Sequence, residues 1–385
     1  MSQARRMAHI QPFHVMALLA RARVLEAQGH DIVHMEIGEP DFPTPAPIVA
    51  AGQRALAAGL THYTPALGLP ELRAAISDFY RDHHGVAVDP GRIVITPGAS
   101  GALHLVLALL VDRDQQVLLT DPGYPCNRNF VHLVEGEPVG VPVDAATGYQ
   151  LTAAMAEQHW TERTRVLMVA SPANPTGTLL SQAELAALAQ LARARGARLV
   201  VDEIYHGLTY DSDAPTALAV SDELFVINSF SKYFGMTGWR LGWIVAPPDQ
   251  VEGLERLAQN LYLAAPTLSQ HAALAAFTPE TRAILEERRA AFQARRDYLL
   301  PALRELGFVI PVTPQGAFYL YADCSRFTDD SFAFSRQLLE EAGVAITPGL
   351  DFGEHRASQH VRFAYTTDIP RLQEGVERIR RFVAG

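Results

Sequence analysis

Short apolar, β-branched runs alternate with helix-length segments through the middle of the chain. Residues 92–96, 116–120, 165–170, 197–202 and 224–228 read as buried strands. Alternation of this kind predicts an α/β domain with a largely parallel sheet flanked by helices. The helix over 181–194 is well marked, because Ser181 and Glu184 have capping-box spacing and alanine and leucine fill its body. Arg195-Gly196 closes it. A second helix, over 102–111, opens from Pro97-Gly98-Ala99-Ser100-Gly101. Near Pro279 the texture changes to a long charged helical stretch containing Glu286, Glu287, Arg288, Arg289, Arg295 and Arg296. That charge run reads as a solvated helix face bridging into a smaller C-terminal domain. At the other end, Val15, Leu18, Leu19 and Leu25 fall on a helical period and are expected to pack against the smaller domain. The chain carries no internal repeat, low-complexity tract or long disordered linker.

With 385 residues and 48% hydrophobic content, the chain can form two domains and bury a large core without staples. Its two cysteines, Cys126 and Cys324, suit a reducing compartment and lack neighbouring metal ligands. His83 and His84 end a polar helix without metal-ligand spacing and are expected to be exposed. The net charge of -10 disfavours nucleic-acid phosphates as partners. After Arg5 and Arg6, the segment Met7-Ala8-His9-Ile10-Gln11-Pro12 is not an apolar signal core. The most apolar stretch, 105–111, is far shorter than the roughly 20 residues of a membrane-spanning helix. A soluble, cytoplasmic protein without metal or membrane partner is expected.

Ligands of open α/β sheets collect beyond the carboxyl ends of the strands, and the residues there are polar in this chain. Pro97-Gly98-Ala99-Ser100-Gly101 can offer helix N-terminal N–H groups and a hydroxyl to a phosphate. Dinucleotide and P-loop fingerprints, G-x-G-x-x-G and G-x-x-x-x-G-K-S/T, are absent. Asp121-Pro122-Gly123-Tyr124-Pro125 follows the next strand, and Ser171-Pro172-Ala173-Asn174-Pro175-Thr176-Gly177 the one after it. The Asn174-Pro175 bond suits a cis turn that aims the amide inward. The strand over 197–202 ends in Asp202, a carboxylate whose burial calls for a partner. Glu203 falls on the opposite side of an extended chain. Beyond the last strand lies Ser229-Phe230-Ser231-Lys232, with Arg240 eight residues further on. A lysine at a buried strand end, flanked by hydroxyls and followed by a fixed cation, can condense with a phosphorylated aldehyde such as pyridoxal phosphate.

The segment from Ser229 to Arg240 resembles the cofactor-lysine motif of the class I/II aminotransferases. The resemblance covers nearly the whole chain, from Gly38-Glu39-Pro40-Asp41-Phe42 to Arg362. It implies a fold type I enzyme using pyridoxal 5'-phosphate, with a small domain built from residues 1–40 and 279–385 around a large cofactor-binding domain, 41–278. It also implies roles. Lys232 is the covalent anchor and proton shuttle, and Asp202 holds the pyridine nitrogen protonated. Tyr205 and Asn174 bond the ring's phenolic oxygen, and Tyr124 stacks on the ring. Ala99, Ser100, Gly101, Ser229, Ser231 and Arg240 cup the phosphate. Arg362, with Asn174 and Gly38, binds the substrate, the arginine taking the α-carboxylate bidentately. In Thr61-His62-Tyr63-Thr64-Pro65 the resemblance places Tyr63 across a homodimer interface, completing the neighbouring site. The implied reaction moves an amino group from an L-amino acid to a 2-oxo acid by a ping-pong route. Two rivals share these residues: a lyase eliminating at the β-carbon, and a cofactor-binding regulator without turnover. Selectivity is expected to lie among Phe13, Gly38, Tyr63, Asn127, Arg128 and Tyr262.

Overall fold

The computed structural model describes residues 3–10 and 12–384. After the short β1 (Val33–His34), seven strands form the main sheet: β2 (Ile93–Thr96), β3 (Gln116–Asp121), β4 (Glu137–Pro142), β5 (Thr164–Ala170), β6 (Arg198–Asp202), β7 (Phe225–Ser229) and β8 (Gly242–Val245). Their order is β2-β8-β7-β6-β5-β3-β4. Neighbours from β7 through β4 run parallel, while β8 is antiparallel to both β2 and β7. The strands β9 (Tyr319–Asp323), β10 (Val344–Ala345), β11 (Thr347–Pro348) and β12 (His360–Ala364) follow. Of these, β11, β12 and β9 make an antiparallel sheet, and β10 pairs with β1.

All five expected strands are present with shifts of one residue at their ends. β4 and β8 escape the sequence reading, the first because Pro138, Gly140 and Pro142 interrupt it. The strands are apolar on both faces. In β6, Leu199 and Val201 enter one core cluster while Val200 enters the other, and β5 divides its residues in the same way. Each such aliphatic side chain contributes about 1.5–3 kcal/mol by leaving water, which makes the sheet a rigid base for the residues at its strand ends.

The capping box of the helix Gln182–Ala194 is formed, with Glu184 N–H donating to Ser181 Oγ and Ser181 N–H to the Glu184 carboxylate. The helix after β2 begins earlier than expected, running Gly98–Leu110, so Ala99, Ser100 and Gly101 form its first turn. Leu18, Ala22 and Leu25 of the helix His14–Ala27 pack on Leu339 and Ala345 from the C-terminal part of the chain.

Two expectations are corrected. The charged helix, Pro279–Leu306, does not turn all its charges to solvent: Arg295 is 5% and Arg296 3% exposed. Arg295 makes a bidentate pair with Asp41 at 2.8 and 2.9 Å, and Arg296 pairs with Asp211 at 2.7 Å. Their partners lie far away in sequence, which is why the run reads as an exposed face. His84 is half-buried, its ring 5.4 Å from that of His206, whereas His83 is exposed.

Candidate active site

Three segments at the carboxyl edge of the sheet hold Lys232. The turn after β7 is fixed by Ser229, whose Oγ accepts from Ser231 N–H at 3.0 Å and lies 3.0 Å from Leu241 O. Ser231 Oγ is 2.9 Å from Ser229 Oγ, and both serines are buried. Lys232 leaves this turn and donates from Nζ to Gly38 O at 2.7 Å. Burial pushes its ammonium down to about 8, against the opposing charge of Glu39. An amine whose ammonium is weakened in this way gives up its proton more readily than an ordinary lysine and can then act as a nucleophile and a base.

A corner of backbone N–H groups, hydroxyls and a guanidinium adjoins it. Gly98 has a φ of +72°, and a Cβ there would come within 2.5 Å of Arg240 Nη2, so glycine brings the arginine onto the start of the helix. Arg240 donates from Nη1 to Thr237 O at 2.8 Å and is otherwise exposed. The first-turn N–H groups of Ala99, Ser100 and Gly101, the serine pair and this guanidinium thus converge from three elements.

Asp202 ends β6, buried, and accepts from Ile204 N–H at 3.1 Å. Burial raises its carboxyl to about 6, with the Ile204 N–H and the Lys232 charge acting in the other direction. The hydroxyls of Tyr205 and Tyr319 share a hydrogen bond of 2.8 Å, and the Tyr319 hydroxyl lies against Gly38. Tyr124, half-buried, precedes the helix Pro125–Leu133. The Asn174-Pro175 bond is cis. Glu203 faces away from this group, as its parity requires: its carboxyl accepts from Ala217 N–H at 2.7 Å and from the Thr216 hydroxyl. His206 Nδ1 is 3.4 Å from Glu203, yet burial lowers the imidazole to about 3 and raises the acid to about 8. At neutral pH the two are uncharged neighbours rather than an ion pair.

Arg362, in β12, is buried against three neutral acceptors. Nη1 donates to Asn174 Oδ1 at 2.9 Å, and Nη2 to Glu36 O at 2.5 Å and Thr347 Oγ1 at 3.2 Å. Nε is buried without a partner among the described residues. The guanidinium carbon sits 4.2 Å from the Tyr319 ring centre and 4.9 Å from that of Phe352. A cleft of about 330 Å³ runs from here along Tyr124, Asn127, Arg128, Asn174 and Phe352.

The fold therefore brings Lys232, Asp202, Tyr205, Asn174, Gly38 and Arg362 together, with the Gly98–Arg240 corner beside Lys232. Tyr63 stands apart, 82% exposed. Asn127 and Arg128 line the cleft, as two of the selectivity candidates. Tyr319, Phe352 and the Glu36 carbonyl escaped the sequence reading. No local motif surrounds them, and the one available signal was the glycine turn Gly316 just ahead of the aromatic strand β9.

A profile of the family "aminotransferase class I and II" matches residues 30–379. The chain is 40% identical over 374 residues to the valine–pyruvate aminotransferase of Mycobacterium tuberculosis, covering 97% of this chain and 96% of that one. Among solved structures, an aminotransferase from Mycobacterium tuberculosis superposes with a TM-score of 0.96 at 40% identity, over 100% of this chain and 99% of the other. Aspartate aminotransferase from Thermus thermophilus with maleate gives a TM-score of 0.94 at 35% identity, over 99% of each chain. On this sequence match and on the shared α/β architecture of fold type I, the chain belongs to the class I and II aminotransferase family.

Proposed function

We propose that this aminotransferase binds pyridoxal 5'-phosphate at the strand ends and passes an amino group from an L-amino acid to a 2-oxo acid in two half-reactions. The carrying observation is the half-buried Lys232 amine, which donates to Gly38 O at 2.7 Å just beyond the end of β7, its ammonium lowered to about 8 by desolvation and within reach of the charges of Asp202 and Arg362. The donor set fits the cofactor. Asp202 is a buried acid that accepts from Ile204 N–H, a carboxylate suited to a protonated ring nitrogen, and the Gly98–Arg240 corner offers N–H groups, hydroxyls and a cation to a phosphate dianion. When bound, pyridoxal phosphate supplies an electron sink conjugated to the substrate α-carbon.

The chain's own residues supply the rest. With the cofactor bound, Lys232 Nζ would take the α-proton and return it, Asp202 would hold a proton at the ring nitrogen, Tyr205 and Asn174 would bond the phenolic oxygen, and Tyr124 would supply an aromatic face to the ring. Arg362 receives the α-carboxylate, and that grip orients the Cα–H bond toward Lys232.

The reading includes a cytoplasmic homodimer. Leu56, Leu60, Tyr63, Leu261 and Leu263 are exposed, and Thr267 Oγ1 fastens the Tyr63 loop through His62 O at 2.8 Å, which supports a preformed apolar face for a second copy. The unpaired thiols of Cys126 and Cys324 suit a reducing compartment. Residues 41–278 are read as the large domain, with 1–40 and 279–385 as the small one.

Borohydride reduction of protein loaded with pyridoxal phosphate, followed by peptide mapping, tests the assignment: the label is expected on Lys232. Lys232 is the single lysine of the sequence, so an absent label, or one that persists in Lys232→Ala, sinks it. Valine and aspartate as donors and pyruvate as acceptor, suggested by the relatives' names, open the substrate panel, with 2-oxoglutarate as a second acceptor.

A further inference from the structure

Asp121 ends β3 and leads through Pro122 and Gly123 to Tyr124. The ladder already fixes its backbone, since it sits opposite Pro142 and its carbonyl accepts from Val143 N–H at 2.9 Å. Its side chain is engaged elsewhere. The carboxylate accepts from Glu354 N–H at 3.1 and 3.0 Å and from His355 N–H at 3.3 and 3.2 Å. Two consecutive N–H groups converging on one carboxylate form an anion nest. Two residues after Asp121, Gly123 N–H donates to Phe352 O at 2.8 Å. Between these anchors lies Gly353, where a Cβ would stand 1.7 Å from Asp121 Oδ1. No other residue type fits there while the carboxylate is in place.

The segment 352–355 is thus pinned by its backbone at three points to the approach of Tyr124. Phe352 is the ring beside Arg362, and it lines the cleft shared with Tyr124 and Asn174. We propose that Asp121 is a positioning residue for substrate recognition: its clamp on Glu354 and His355 holds Phe352 against Arg362 and so sets the guanidinium plane that receives the α-carboxylate. This rests on the reading of Arg362 as the carboxylate anchor. A planar, bidentate pairing tolerates little rotation of either partner, so loosening the aromatic wall weakens carboxylate capture before it affects the cofactor.

The test compares Asp121→Asn, Gly353→Ala and the double variant Asp121→Ala/Gly353→Ala in the holoenzyme, with Arg362→Lys as reference. Asparagine keeps the shape but turns an amide donor toward two N–H donors. Asp121→Asn is expected to raise KM for the amino donor about ten-fold, with kcat and the affinity for pyridoxal phosphate within about two-fold of wild type. Backbone amide hydrogen exchange in the peptide spanning 352–356 should speed up in parallel, a readout independent of turnover. Gly353→Ala should show the same pattern, and the double variant should be no worse than an Asp121→Ala single variant made alongside it, because the clashing carboxylate is gone. Equal losses in kcat, cofactor affinity and melting temperature would show a general structural role and overturn the proposal. So would faster exchange with an unchanged KM. A raised KM in Arg362→Lys with an unchanged KM in Asp121→Asn sinks the clamp alone. An unchanged KM in Arg362→Lys sinks the anchor reading and the clamp's stated route with it.

Discussion

Asn174 Oδ1 accepts a hydrogen bond of 2.9 Å from Arg362 Nη1, joining the turn after β5 to β12 across 188 positions of sequence. The other acceptors on Arg362, Glu36 O and Thr347 Oγ1, are also neutral. Asp351, the acid whose charge reaches it, already accepts from His14 and Val15 N–H at 2.9 and 2.8 Å. A buried cation held only by neutral groups is costly unless an anion completes the set. Substrate carboxylate is the natural complement.

Arg362→Lys should therefore raise KM for the amino donor about 10- to 100-fold, because a charged hydrogen bond is worth about 1.5–3 kcal/mol and an ammonium cannot copy the planar fork. Steady-state kinetics across the donor panel decide this. Unchanged KM for every donor would place the anchor elsewhere.

Replacing Asp202 should act on kcat. Asp202→Asn keeps the shape but not the charge that holds a proton at the ring nitrogen, so kcat should fall on the order of 10²–10³-fold. Borohydride labelling of Lys232 should persist in this variant, since the lysine itself is intact. Lys232→Ala, by contrast, should lose the label together with about 10²–10⁴-fold in proton transfer. Near-wild-type kcat in Asp202→Asn would remove Asp202 from the reaction.

The positions of these residues were legible because the sheet is mostly parallel and its polar residues cluster where strands end. Asp202, Asn174 and Lys232 each follow an apolar run that is unambiguous by itself. What stayed hidden depends on contacts between distant segments. Tyr319 meets Tyr205 across 114 positions, and Arg295 meets Asp41 across 254. Neither pairing leaves a local trace, so an aromatic in the active site went unnoticed and a buried arginine read as solvated. The helix start at Gly98 was misplaced for another reason: glycine and proline read as a turn, yet Pro97 serves as the N-cap and Gly98 already belongs to the first turn.

Glu203 predicts a pH dependence of stability. Burial raises its carboxyl from the ordinary 4.5 to about 8, with Ala217 N–H and the Thr216 hydroxyl opposing. A folded-state value above the unfolded one means that folding favours the protonated acid. That contribution is complete below about 4.5 and is lost as pH rises through about 8. Glu203→Gln has no such titration. Its melting temperature should accordingly gain on wild type between about pH 5 and pH 9. Scanning calorimetry of both proteins over this range checks it, and parallel curves would contradict it.

Tyr63 supplies the test of assembly. It is 82% exposed at the edge of an apolar face, on a loop that Gln270 also ties down by donating to Thr64 Oγ1 at 2.9 Å. A tyrosine left in solvent on a loop tied down at His62 and Thr64 fits a residue that reaches the phosphate corner of a second copy. Tyr63→Phe should then weaken pyridoxal phosphate binding by roughly the 0.5–1.5 kcal/mol of one hydrogen bond while the dimer persists in sedimentation. Mixing Tyr63→Phe with Lys232→Ala chains sharpens the point. In a mixed dimer, the site that retains Lys232 draws its tyrosine from the Lys232→Ala chain, so that site should regain wild-type cofactor affinity. The other site carries both lesions. If subunit exchange is demonstrated and affinity at the Lys232 site stays weak, Tyr63 serves its own chain or no phosphate at all.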